Sequence, residues 1–200
     1  MVKTATLLLD EEQFRLLTGL SGPLAVFRDA SGRAEPDYLL LDAGSRLMLS
    51  VDSCDVVFKF EVFGVEPRHL PPDWPVGWDP VATLGPLLST TCLFRFEWWR
   101  PALPGEAPPD WEQMAAGHGP RTAIPDNATA VGVSMVGLLF VGEARSMLAM
   151  ANNDSPTTFL VVGDPAEIAA VTDTCESADV SDAPRVAAEI SSWMRARFGN

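Results

Sequence analysis

Residues 90–99, TTCLFRFEWW, constrain this chain more than any other stretch of it. Cys92, Phe94, Phe96 and Trp98 stand at every second position, with Arg95 and Glu97 between them. A period of two is the repeat of a pleated strand, whereas an α-helix would scatter the same residues around its circumference. The stretch is expected as an antiparallel strand with one apolar face. Such a strand needs neighbours on its edges and a layer over that face, which the rest of the chain has to supply.

Two other stretches offer strands, and they resemble each other. With residues 39–64 set over residues 138–163, nine of the 26 positions are identical without a gap, among them Arg46/Arg145, Met48/Met147, Asp55/Asp154, Phe60/Phe159 and Gly64/Gly163. Composition alone would supply roughly two at one fixed offset. The shared positions follow a strand, turn, strand, loop, strand pattern, and in the last strand Phe and Val stand two apart on one face. Just past each copy an acid precedes a proline, Glu66-Pro67 and Asp164-Pro165, which is the start of a helix with proline in its first turn. In the first copy Pro71 and Pro72 stop that helix. The expectation is a duplicated unit, a three-stranded meander followed by a short helix, used once in each half of the chain. Residues 23–41 add a further hairpin around Asp-Ala-Ser-Gly.

Helices are expected at both ends. Asp10 caps a helix whose first turn carries Glu11 and Glu12 and whose stripe is Phe14, Leu16, Leu17 and Leu20, with Gly19 or Gly22 to end it. Near the other end SDAPRVAAEISSWMRARF reads as a capped helix with Val186, Ile190, Trp193 and Met194 on one face. The fold class is therefore α+β, a mainly antiparallel sheet with N-terminal and C-terminal helices packed on it. Two α+β halves, residues 1–100 and 101–200, are expected to pack as one compact unit. At 200 residues the chain can bury a sizeable core without staples.

The linking region, residues 65–125, holds 12 of the 17 prolines and five of the six tryptophans. PPDWPVGWDP and RPALPGEAPPDW read as extended loops with short helical turns after Asp79 and Asp110. AAGHGPR, around His118, reads as a loop as well. Tryptophan and proline together suit a recognition loop, since indole offers a large apolar face and proline lowers the entropy lost on binding.

Charge narrows the functional classes. The formal net charge is -13, and residues 101–184 carry twelve acids against Arg121 and Arg145. That sign disfavours nucleic acid and anionic membranes as partners and allows a basic protein surface. The run DTCESADVSD spaces Asp173, Glu176, Asp179 and Asp182 three apart, as a solvated acidic loop would. Cys54, Cys92 and Cys175 have neither zinc-ligand nor disulfide spacing and read as free thiols. No metal or cofactor is expected. His69 and His118 have no nucleophile or second ligand at a telling spacing. Asp55 and Asp154 read as turn-stabilising acids, with Arg46 and Arg145 as their structural counterparts. The opening MVKTATLLLDEEQF is too short in apolar residues for a signal peptide or a membrane span, so a cytoplasmic location is expected.

These observations lead to a non-enzymatic protein that binds a basic protein through an acidic, tryptophan-bearing surface, in the manner of a bacterial immunity protein or antitoxin. Trp74, Trp78, Trp111, Asp173, Glu176 and Asp179 are its candidate contact residues. The alternative is a small-molecule-binding protein or enzyme with a pocket between the two repeated units.

Overall fold

A computed structural model describes residues 3–29, 38–53, 58–64, 77–105, 114–151 and 158–199. The chain is α+β, as expected, and its centre is the stretch singled out above, which belongs to a strand far longer than ten residues. Strand β6 runs Trp78–Pro101 and is hydrogen-bonded on both edges. One edge is taken by β8 (Ala130–Gly142), antiparallel from Leu87↔Gly142 to Trp99↔Ala130. The other is shared by three antiparallel pieces in relay: β2 (Pro23–Asp29) along residues 78–86, β11 (Glu176–Asp179) along 91–94 and β7 (Met114–Gly119) along 96–101.

Outward from this pair the sheet continues at both ends. From β2 the order is β3 (Tyr38–Ala43), β4 (Ser45–Ser53) and β5 (Phe58–Gly64). From β8 it is β9 (Ser146–Ala151) and β10 (Thr158–Val162). Strand β1 (Lys3–Leu7) lies on β8 in parallel, Lys3↔Ala130 to Leu7↔Ser134, and all other pairings are antiparallel. The backbone of β5 comes back beside β8 and β9, so the two ends of the sheet face each other.

Both matched stretches are thus three-stranded antiparallel meanders, at opposite ends of one sheet. Their second hairpins share a register at a constant offset, Met48↔Phe63 matching Met147↔Val162 and Leu49↔Val62 matching Leu148↔Val161. Their first hairpins differ by one residue, Leu41↔Leu47 against Phe140↔Met147. Arg46 accordingly reaches back to Asp42, donating from Nε at 3.0 Å, while Arg145 stands exposed in the β8–β9 turn. The likeness of shape is a finding, and a duplication behind it stays a proposal. The short helix expected after the first meander, together with Asp55, Asp154 and His69, lies outside the described residues.

Apolar residues from both sheet ends meet in one interior. Leu39, Leu41, Leu47 and Leu49 share a buried cluster with Phe94, Phe96, Leu138, Phe140 and Met147. Helix α1 (Glu11–Thr18) adds Phe14 and Leu17, and α3 (Ala183–Phe198) adds Ala183, Ala187, Ile190 and Met194. Asp10 caps α1 with a full capping box, accepting from Gln13 N–H at 2.8 Å while Gln13 Oε1 accepts from Asp10 N–H. Trp193 meets Phe96 edge to face at 5.6 Å between ring centres, which seats α3 on the β6 face. A smaller cluster on the opposite face of the sheet, Leu93, Val136, Leu148, Met150 and Val161, is covered by Ile168 of α2 (Pro165–Thr172). Asp164 caps α2, accepting from Ala166 and Glu167 N–H groups.

Three loop expectations are corrected. Trp78 to Ser89 is strand, with no helical turn after Asp79. Pro80 and Pro86 fit because one sits at a register shift against β2 and the other at the end of that ladder, where no N–H is required. AAGHG is strand β7, and ESAD within the acidic run is strand β11. Both are drawn into strand by the open edge of β6, whose N–H and C=O groups need partners. Gly117 makes the first possible, because a Cβ there would lie 2.7 Å from the Trp98 indole.

The corner where β8 turns into β9 is tighter still. A Cβ on Gly142 would lie 2.2 Å from the Leu84 carbonyl oxygen, a backbone atom that cannot yield. Gly142→Ala is therefore expected to cost about 3 kcal/mol in urea unfolding. Gly163→Ala, at φ +74° with open space around it, should cost only the left-handed backbone strain of about 1 to 2 kcal/mol. Equal losses at the two positions would sink the steric explanation.

Candidate functional site

The acidic run lies where α2 ends and β11 begins. Asp173 ends α2 and is exposed, and three residues on Glu176 opens β11 opposite Phe94. Strand alternation then buries Ala178 beneath α3 and leaves Ser177 and Asp179 outward. Asp179 holds the next turn, its Oδ1 accepting from the Ser181 hydroxyl at 2.7 Å and the Ser181 N–H at 2.9 Å. Those bonds hold its carboxyl below the usual range, the hydroxyl first and the N–H second, so it stays ionised at neutral pH.

Glu176 has a different role. Its carboxylate accepts from Arg121 Nε at 2.9 and 3.0 Å and from the Arg121 backbone N–H at 3.0 Å, and Arg121 Nη2 stands 2.9 Å from Oε2. The pair joins residues 55 apart in sequence and ties β11 to the 3-10 turn at Arg121–Ala123 that follows β7. Such bidentate contact is the strong form of an ion pair, and it takes Glu176 out of the surface charge.

A second arginine is buried on β6 itself. Arg95 is 6% exposed and donates from Nη2 to Glu97 at 3.0 Å, with the Glu97 side chain 17% exposed. The ladder sets Ser134 of β8 opposite Arg95, and His118 of β7 opposite Glu97. His118 is exposed and the Ser134 side chain is buried. Ser134 and His118 lie on opposite sides of β6 and two ladder positions apart, about 12 Å from strand and ladder spacings, too far for a nucleophile and its base.

Of the six candidate contact residues, Asp173 and Asp179 are exposed, while Glu176 lies on the Ala178 side of β11 and is held by Arg121. Trp78 begins β6 opposite Asp29 and is half-buried. Asp179 faces Thr91, thirteen positions farther along the strand, on the order of 40 Å of strand contour at about 3.3 Å per residue. Trp74 and Trp111 lie outside the described residues. Sequence reasoning missed Arg121 as the partner of Glu176. The signal available was that Arg121 is one of two bases between residues 101 and 184.

Among the described residues, the leucines and phenylalanines named above pack together between the two meanders. A groove of about 540 Å³, open to solvent, lies instead between α1 and α3, floored by Leu8, Leu9, Phe14 and Ala187 and edged by Glu11, Arg15, Thr18 and Ser191. Among the described residues no group of three His, Cys, Asp or Glu stands together as a metal site, and no helix is long and apolar enough to cross a membrane. Comparison with protein-family models, curated proteins and solved structures finds no match to the chain.

Three measurements bear on these buried groups. The Ser134 Oγ is buried and, among the described residues, without a hydrogen-bond partner, a cost of about 1 to 3 kcal/mol. Ser134→Ala is expected to raise stability by about 1 kcal/mol, and a loss instead would show that the hydroxyl is used. Burial, helped by the charge of Asp179, pushes the Cys92 thiol up to about 12. Burial also raises Cys175, against the pull of its Thr174 hydrogen bond and the Arg95 charge. Native protein should leave Cys92 unalkylated at pH 8, read by peptide mass. The folded state also keeps a proton on Cys92 that the unfolded chain loses above its ordinary value of 9.0, so stability should fall as pH rises from there towards 12.

Proposed function

We propose that this chain is a non-enzymatic binding protein, immunity-like or antitoxin-like, whose partner is a basic protein held against the α2–β11 face. The supporting observation is the distribution of charge. Residues 146–184 contain seven acids and no Lys, Arg or His. Of these, Asp164, Glu167, Asp173 and Asp179 are exposed along α2 and β11, while Glu176 is matched internally by Arg121 and Asp182 stands 3.6 Å from Arg185. An exposed field of one sign steers an oppositely charged partner and speeds its association, an effect that salt removes. The same sign speaks against nucleic acid and anionic membranes as partners. A cytoplasmic location belongs to the proposal as well. The alternative, a small-molecule site between the meanders, draws less support because the described side chains there pack in one apolar cluster.

The test is retention from the source organism's lysate at low and at high salt, with mass spectrometry of what is held. One basic protein held at low salt and shed at high salt is the expected result. The decisive variant follows from the geometry. Asp164 caps a helix, Asp179 holds a turn and Glu176 holds Arg121, so neutralising any of these also disturbs structure. Glu167 and Asp173 are exposed and carry no such bond among those described. Glu167→Gln with Asp173→Asn should slow association on the order of tenfold at low salt and flatten its salt dependence. Unchanged association kinetics would remove this face from the proposal.

A further inference from the structure

The corner of β6 displays an apolar side chain to water. Leu87 pairs with Gly142 and Ser89 with Val141, so the register shift between them leaves Leu88 without a ladder partner on β8. This is a β-bulge, a device that re-aims a side chain. Leu87 packs against the core and Thr90 is buried, whereas Leu88 is 64% exposed, more than Tyr38 or Leu103, the other exposed large apolar residues among those described.

The corner is also fixed in place. Glu143 N–H donates to Pro86 O at 3.0 Å, Ala144 N–H to Leu84 O at 3.0 Å and Val180 N–H to Thr90 O at 2.9 Å. These bonds bracket Leu88 between the β8–β9 turn and the turn that follows β11. Glu143 is exposed on the first side and Asp179, opposite Thr91, on the second, with Arg145 of the β8–β9 turn the opposing charge.

A lone exposed leucine is ordinary on a protein surface. A leucine aimed outward by a bulge, on a backbone held from both sides, between acids of a chain with net charge -13, has the form of a binding anchor. Its rigidity spares the ordering cost of association.

We propose that Leu88 is the apolar anchor of a protein interface whose occupant is a cationic protein surface bearing a pocket for one aliphatic side chain. This rests on the acidic binding reading above and extends its contact area from β11 across β6 to the β8–β9 turn. The test compares wild type with Leu88→Ser, whose melting temperature should be unchanged because the residue is exposed. Both are immobilised and exposed to source lysate at low salt. The basic protein recovered by wild type is identified, purified and used as the probe in a titration against each.

The expected result is binding at least about tenfold weaker for Leu88→Ser, as for the loss of an interface anchor. Capture alone does not support the proposal, since only the affinity difference does. Equal affinity overturns Leu88 as the anchor and leaves the acidic reading standing. If wild type retains no basic protein, both fall. If light scattering shows a wild-type dimer that Leu88→Ser abolishes, the occupant is a second copy and the cationic partner is overturned.

Discussion

The hydrogen-bonding demand of one long strand organises this molecule. Strand β6 runs through 24 residues, and along most of it the side chains are buried or half-buried, so its main-chain groups cannot turn to water. Each one left unpaired would cost about 1 to 3 kcal/mol. β8 meets one edge from Leu87 to Trp99, but no single segment meets the other. Three separate parts of the chain share it, and two of them, β7 and β11, have six and four residues. Pieces that short have no stability as isolated strands. They are strands because β6 needs them, and with β11 the acids of residues 173–182 are brought to a fixed place.

That arrangement also sorts the charges. Arg95 and Arg121 lie inward or at the seams, each holding a carboxylate, while the uncompensated acids of α2 and β11 face out. A buried ion pair contributes little net stability against a well-packed apolar substitute, yet breaking one by removing a single partner costs about 3 to 5 kcal/mol. The two arginines therefore do more to decide where negative charge can stand than to raise the stability of the fold. Arg197 has a similar part at the other end of α3, lying 5.5 Å from the Trp193 ring centre and donating to Asp126 at 3.1 Å.

Features with a local cause were legible in the sequence. Alternation placed the core of β6, the acid before a helix placed Asp10 and Asp164 as caps, and a 3.6-residue stripe placed α1 and α3. The capping of α3 was read less well, since Asp182 makes no side-chain cap bond and lies near Arg185 instead. Features with a distant cause were not legible. Trp78–Pro80 read as the end of a loop, and only the ladder with β2 shows that Pro80 stands at a register shift where no donor is needed. AAGHG and ESAD have weak strand propensity and owe their state to an edge supplied from elsewhere. Of the acidic run, the solvent exposure of Asp173 and Asp179 was legible from its composition. The capture of Glu176 by Arg121 was not, because no spacing rule reaches across 55 residues.

The parallel pairing of β1 with β8 has a bearing on how the chain is made. Residues 3–7 bond to residues 130–134, and the β6 edge is closed only by residues 176–179. A chain leaving the ribosome would hold β1 without its partner until residues 130–134 had emerged, and one edge of β6 incompletely covered until residues 176–179 had. Topologies dominated by such remote pairings nucleate slowly, and their unpaired edges can meet other chains meanwhile. Between the synthesis of β6 and that of β11, the edge that β11 closes is therefore open to other chains.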